Sequence, residues 1–152
     1  MKGIDEMSRR KRKRKGQYLR LGVISISEVL PHVIFQQKLS GKKGKLQRKQ
    51  FGEFQINMAS LRYQLFALKG TFCVECGIQG SYFALEVDRS AKEGTQPHFN
   101  LYGILPNGEE VLITKDHIFP VSKGGKDKLK NLQTMCQKCN VLKSNIVEEG
   151  VV

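Results

Sequence analysis

Hydrophobic positions along the chain change their spacing twice. From residue 17 to 40 they crowd together at Leu21, Val23, Ile24, Ile26, Val29, Leu30, Val33, Ile34 and Phe35. The spacing from Ser27 to Lys38 predicts a helix, provided Pro31 sits in its first turn, where its missing N–H breaks no bond. Between about Asn57 and Lys69, Met58, Leu61, Leu65 and Leu68 recur every three to four residues. That is the period of one buried helical face, and Gly70 follows as a stop. From Cys73 onward short runs replace helical ones. Tyr82 to Val87 predicts a strand, and Phe99 to Ile104 with Glu110 to Thr114 predict a hairpin around Pro106-Asn107-Gly108. A last periodic segment, Cys136 to about Asn145, predicts a short helix that opens on a Cys-x-x-Cys.

Charge divides the chain differently from hydrophobicity. The 152 residues carry 26 Lys plus Arg against 14 Asp plus Glu, a net charge of +12. Two segments hold all of it: residues 1–16 and residues 38–49 contribute +6 each, and the remainder is neutral. The first contains the unbroken run Arg9, Arg10, Lys11, Arg12, Lys13, Arg14, Lys15; the second contains Lys42, Lys43 and Lys45. A run of like charges repels itself and buries nothing, so residues 1–16 are expected to be a disordered basic arm. Residues 17–56 then form a helical extension that ends in the Gly-punctuated basic linker 40–50, and residues 57–152 form the domain that carries the chemistry. Two basic segments on a neutral body point to a polyanion partner, with nucleic acid the default.

The length suits one modest domain with appendages and argues against a large two-domain enzyme. No apolar stretch approaches the roughly 18 residues of a membrane span, which predicts no membrane partner. Ser25, Ser27, Glu28, Pro31 and His32 interrupt what would be the core of a signal peptide. The expected location is cytoplasmic, so the four cysteines are read as thiols or metal ligands before disulfides.

Those cysteines form two knuckles, Cys73-Val74-Glu75-Cys76 and Cys136-Gln137-Lys138-Cys139, separated by 59 residues. A two-residue spacer lets both sulfurs of a knuckle meet one tetrahedral ion, and two knuckles complete a four-thiolate structural Zn²⁺ site. A redox role would use one pair and leave the other unexplained. A zinc with four thiolates has no open position, so catalysis must lie elsewhere.

Between the knuckles runs Thr114-Lys115-Asp116-His117-Ile118-Phe119-Pro120, then Gly124-Gly125, Asn131-Leu132 and, after the second knuckle, Asn140. In order and spacing these residues resemble the HNH endonucleases of the ββα-metal (His-Me finger) superfamily. The match is close over about 110–145, and more loosely the chain looks like small HNH proteins of bacteriophages, which would place it in a phage-infected bacterial host. The resemblance implies an α+β fold with a ββα-metal core, His117 as general base, and Asp116 and Asn140 as ligands of a catalytic Mg²⁺ or Mn²⁺. It also implies that Asn131 orients the loop and the base. The activity implied is hydrolysis of DNA phosphodiesters to 5′-phosphate and 3′-hydroxyl ends.

Elementary chemistry agrees with those roles. Phosphodiester hydrolysis needs a base to deprotonate water and an electrophile for the developing charge. Imidazole titrates near neutrality, and hard divalent ions prefer carboxylate and carbonyl oxygens. Adjacent strand residues point to opposite faces, so Asp116 and His117 predict an irregular turn at Ile118-Phe119-Pro120. Lys123, Lys126, Lys128, Lys138 and Lys143 would surround the site and meet phosphates. His98 is read as a loop or hairpin residue and His32 as structural. The alternative from another class is a zinc-containing DNA-binding module that does not cut.

Overall fold

The computed structural model describes residues 12–13 and 16–148. Its strands are β1 (Arg12–Lys13), β2 (Tyr18–Ile24), β3 (Arg48–Phe51), β4 (Phe54–Asn57), β5 (Gly80–Asp88), β6 (His98–Ile104), β7 (Glu110–His117) and β8 (Leu132–Cys136). Its helices are α1 (Ile26–Val29), α2 (Leu61–Lys69) and α3 (Gln137–Glu148). Six strands make one antiparallel sheet in the order β1-β2-β5-β6-β7-β8, while β3 and β4 pair as a separate hairpin. The architecture is α+β.

Alternating residues of the central strands build the core. Phe83, Leu85, Phe99, Leu101 and Ile113 are fully buried, and Tyr63 and Phe66 of α2 pack with them. The rings meet edge-on or tilted: Phe51 lies 4.9 Å from Phe99, and Tyr63 and Phe66 each lean on Phe83. Such arrangements set the positive ring edge against the negative face. The α2 helix ends where predicted, because Gly70 takes φ +103° and its N–H returns to Phe66 O.

The expected N-terminal helical extension is not there. The helix foreseen over residues 27–38 is the single turn α1 followed by a 3-10 turn, Leu30–His32, with Pro31 at its start. The chain then runs extended as a strap. Ile34 N–H bonds to Met58 O, and the Gln64 side chain donates to Gln36 O. Residues 18–24, read as part of the same apolar crowd, are a strand pairing with β5. The basic stretch 40–50 is also no free linker. Gly41–Gln47 coil into 3-10 turns in which Gln47 is buried, bonding Leu39 N–H and Gln37 O, and the chain then turns into β3. Of the basic arm, Arg12 and Lys13 pair with β2 through their backbone, whereas Arg9, Arg10, Lys11, Arg14 and Lys15 lie outside the described residues. His32 packs edge-on against Phe51, and His98 opens β6 against Tyr18.

The sheet face away from α2 carries polar residues. Arg20 bonds Glu86 at 2.9 Å and both carboxylate oxygens of Glu110 at 2.7 Å, with its guanidinium 4.9 Å from the Tyr102 ring. Asn100 and Tyr102 also donate to the buried Glu86 carboxylate. This network joins β2, β5, β6 and β7 side to side.

Candidate functional site

Strand β7 ends on Asp116 and His117, and the loop after it is held by one residue. Asn131 closes a 3-10 turn immediately before β8. Its Oδ1 accepts from Phe119 N–H at 2.9 Å, and its Nδ2 donates to Phe119 O and Lys126 O. Its carbonyl accepts Ile118 N–H at 2.8 Å. The irregular turn expected at Ile118-Phe119-Pro120 thus exists because an amide side chain replaces the strand ladder there. Gly124 and Gly125 fit the return path for different reasons. Gly124 adopts φ +95°, while Gly125 lies so close to Phe119 O that any Cβ would collide with it.

That turn lets two neighbouring strand residues share one cleft. A cavity of about 310 Å³ is lined by Asp116, His117, Pro120, Val121, Ser122, Lys143 and Ser144. His117 Nε2 sits 2.9 Å from Asp127 Oδ1, which also takes Lys115 Nζ at 2.8 Å. The Lys115 bond, above all, holds the Asp127 carboxyl below the usual carboxylate range; His117 adds to it, and burial opposes it only in part. A carboxylate on Nε2 selects the tautomer that carries its proton there, which leaves Nδ1 as the proton-accepting nitrogen.

Asp116 is mostly buried, and its Oδ2 accepts from Lys143 Nζ at 2.6 Å and Gln133 Nε2 at 2.9 Å. The Lys143 ammonium also donates to His117 O. Lys143, foreseen as a phosphate contact, is therefore turned inward onto the acidic residue. Asn140 ends the first turn of α3, is half-buried, and does not line the cleft. Ser144, four residues later on the same helix face, does. Asp116, Asn140 and Ser144 offer only oxygen donors of the kind a hard divalent ion prefers. An ion bound to Asp116 must share the carboxylate with Lys143 or displace its ammonium.

Asp127, Gln133 and Ser144 are the residues that sequence reasoning missed. Asp127 had a signal, as one of only two acids among the lysines of 115–143, but its pairing with His117 depends on the Gly124-Gly125 turn.

The four cysteines do converge. Their sulfurs all lie within 4.8 Å of one another, and Cys76 Sγ is 3.8 Å from Cys136 Sγ. Tetrahedral Zn–S bonds of about 2.3 Å place sulfurs about 3.8 Å apart, so the cluster has room for such an ion. Local structure explains the convergence. Gly77, at φ +78°, closes the first knuckle by bonding back to Cys73 O. Cys73 N–H bonds Ile78 O, and Val74 N–H docks the knuckle onto Thr134 O of β8. Cys136 ends β8 and Cys139 lies in the first turn of α3. Burial alone would raise the Cys73 thiol, but N–H groups of Cys76, Cys136 and Glu75 outweigh it and bring it to about 7. Burial and the neighbouring sulfurs push Cys139 up. Four thiols here cannot all ionise without a cation among them, and the cluster could hold a metal ion such as zinc.

Lys123, Lys126, Lys128 and Lys138 are exposed around this region, and Lys42, Lys43 and Lys45 are exposed on the 3-10 turns. No helix among the described residues is long and apolar enough to cross a membrane.

Residues 107–151 match a family model described as HNH endonuclease, a stretch that spans β7, the Asn131 loop, β8 and α3. The match supports nuclease activity, with DNA as the implied substrate. No curated protein and no solved structure matches the chain.

Proposed function

We propose, from the HNH endonuclease match over residues 107–151, that this chain is a divalent-metal-dependent DNA endonuclease. It cuts phosphodiesters to leave 5′-phosphate and 3′-hydroxyl ends. The observation that carries the reading is the placement of Asp116 and His117 at one cleft, with Asp127 on His117 Nε2. Antiparallel β7 and β8 followed directly by α3 have the order of a ββα core, which supports it further.

In this mechanism His117 Nδ1 takes the proton of the attacking water, and Asp127 fixes the ring and stabilises the imidazolium that forms. Asn131 does not reach the cleft; it acts by holding the 118–120 turn and so the end of β7. Asp116 and the helix facing it, which offers Ser144 in the cleft and Asn140 one turn earlier, would hold Mg²⁺ or Mn²⁺, which would supply charge neutralisation at the phosphate and at the departing 3′ oxygen. Zn²⁺ on Cys73, Cys76, Cys136 and Cys139 is structural and tethers the 73–77 knuckle to β8 and α3. The basic residues of 9–15, 42–45 and 123–138 contact the DNA backbone.

One observation favours the alternative of a non-cleaving DNA-binding module: the Lys143 ammonium already neutralises Asp116. Nicking of supercoiled plasmid with and without added Mg²⁺ separates the two. Parent protein converts plasmid to open circles, while Asp116→Ala and His117→Ala proteins of intact fold do not. Plasmid left intact by zinc-loaded parent protein in Mg²⁺ and in Mn²⁺ refutes the endonuclease reading.

A further inference from the structure

A second cleft, of about 590 Å³, opens where the 3-10 turns of 41–47, the β3–β4 hairpin and the start of α2 meet. Lys38, Arg48 and Arg62 line it, and no carboxylate does. Many exposed lysines of the fold are without an ion pair among the described residues, but these three are gathered in one concave site. Arg20, Lys115 and Lys143 are each spent on an acidic partner, whereas none of these three is in an ion pair among the described residues. Arg62 is instead anchored by the backbone. Its Nη2 donates to Phe99 O at 2.9 Å, its guanidinium lies 5.7 Å from the Tyr63 ring, and its Nε is buried with no partner. Anchoring by a carbonyl and a ring fixes the guanidinium and leaves its full charge in place.

The helix adds to this field. The nine-residue α2 has Ser60 as its N-cap; Ser60 lines the cleft, makes no side-chain cap bond and is followed by no acid in the first turn. The positive end of its dipole is therefore uncompensated where Arg62 sits. Positive charge also continues past the cleft, since residues 38–49 hold six basic and no acidic residues. That extent suits a backbone with many phosphates better than one small anion. The location suits it too. His98, in the cleft wall, opens β6, while the antiparallel neighbour β7 ends on His117, so both clefts sit at the same end of the sheet.

We propose that this cleft binds a phosphodiester of the DNA backbone, a second anchor that holds duplex DNA across the sheet end bearing Asp116 and His117. The inference takes from the nuclease reading only the identity of the polyanion. Its test reads binding without cleavage.

Full-length protein is titrated into a fluorescein-labelled duplex without added divalent ion, over a range of salt, and anisotropy reports binding. Lys38→Ala/Arg48→Ala removes two exposed charges that make no side-chain hydrogen bond or ion pair among the described residues, and an unchanged Tm checks that the fold is kept. Each lost phosphate contact lowers the slope of log K against log salt by about 0.9, so the double variant loses about 1.8 in slope and on the order of 10-fold or more in affinity at 0.1 M salt. Parent-like slope and affinity overturn the proposal. So does displacement of DNA by millimolar inorganic phosphate at constant ionic strength, if the parent shows it and the double variant does not; that result assigns the cleft to small phosphate anions. A slope lowered in the double variant, together with parent protein that never nicks plasmid, refutes the nuclease reading alone.

Discussion

Gly125→Ala tests whether the 118–125 loop sets the geometry of the site. A Cβ on Gly125 would stand 1.9 Å from Phe119 O, 2.7 Å from Phe119 C and 2.8 Å from Pro120 O. All three are backbone atoms, so no rotamer change relieves the clash. Reaching even a 3.0 Å contact moves the 119–120 backbone by about 1 Å. The movement strains the two bonds between Asn131 and Phe119 and the bond from Gly125 N–H to Pro120 O. At about 1 kcal/mol each, their loss costs roughly 2–3 kcal/mol, a fall in Tm of roughly 4–12 °C for a chain of this size. The effect on cleavage is larger in proportion, because a displacement of about 1 Å at a catalytic group costs on the order of 10²-fold in rate. Gly108→Ala is the control. Gly108 also has a positive φ, +85°, but its Cβ meets nothing within 4 Å. That variant bears only left-handed strain, about 1–2 kcal/mol, and keeps parent cleavage. Thermal unfolding and plasmid nicking on the three proteins decide the matter. Gly125→Ala protein with parent Tm and parent rate would show that the close approach at Phe119 does not govern the site.

Four other outcomes follow from the same geometry. Parent protein contains close to one zinc per chain by elemental analysis, and Cys139→Ser lowers both zinc content and Tm; a folded, zinc-free parent refutes the four-thiolate site. His117→Ala cuts roughly 10²–10⁴-fold more slowly while zinc content and duplex affinity stay at parent values; parent-like cleavage, with contaminating nuclease excluded, ends the proposed base role. Lys143→Met lowers the Mg²⁺ needed for half-maximal nicking, because it frees Asp116 Oδ2 from an ammonium at 2.6 Å; a higher requirement shows that Lys143 orients the carboxylate instead. Burial would raise the Glu86 carboxyl, but bonds from Tyr102, Asn100 and Arg20 win and lower it. Its contribution is thus present above the ordinary Glu value of about 4.3 and is lost as pH falls through the lower folded value. Glu86→Gln therefore flattens the acid side of the stability profile, measured by urea unfolding between pH 7 and pH 3; a profile as steep as the parent's refutes this.

What was legible in the sequence was local. Helix α2 with its Gly70 stop, strand β5, the β6–β7 hairpin and both knuckles each carry their determinants within about twenty consecutive residues. Strand β2 was hidden by a change of register between Arg20 and Gly22, which breaks the two-residue alternation that marks a strand. The strap after Pro31 has helical spacing, yet its backbone partners lie far along the chain at Met58 and Gln64. No local rule reveals them. Strand β8 is only five residues long and ends on a cysteine that the eye assigns to the knuckle. Within the site, Asp116 and His117 were readable as residue types at a spacing. The partners that tune them, Asp127 and Lys143, are brought in by a turn and by a helix docking, which are tertiary facts.

The first cysteine knuckle has a further consequence. Strand β8 is the last of its sheet, so one side of it faces no strand. Two of its carbonyls are nonetheless occupied: Leu132 O by Lys69 Nζ at 2.7 Å, and Thr134 O by Val74 N–H at 2.9 Å. The 73–77 turn is thus a cap on a sheet edge, and the sulfur cluster, with the proposed zinc bound, would be the clasp that keeps it there. Open strand edges recruit strands from other molecules. Stripping the clasp would therefore do more than loosen a fold. It would uncover an adhesive edge, and the metal-free protein would be lost to self-association while most of its sheet was still intact.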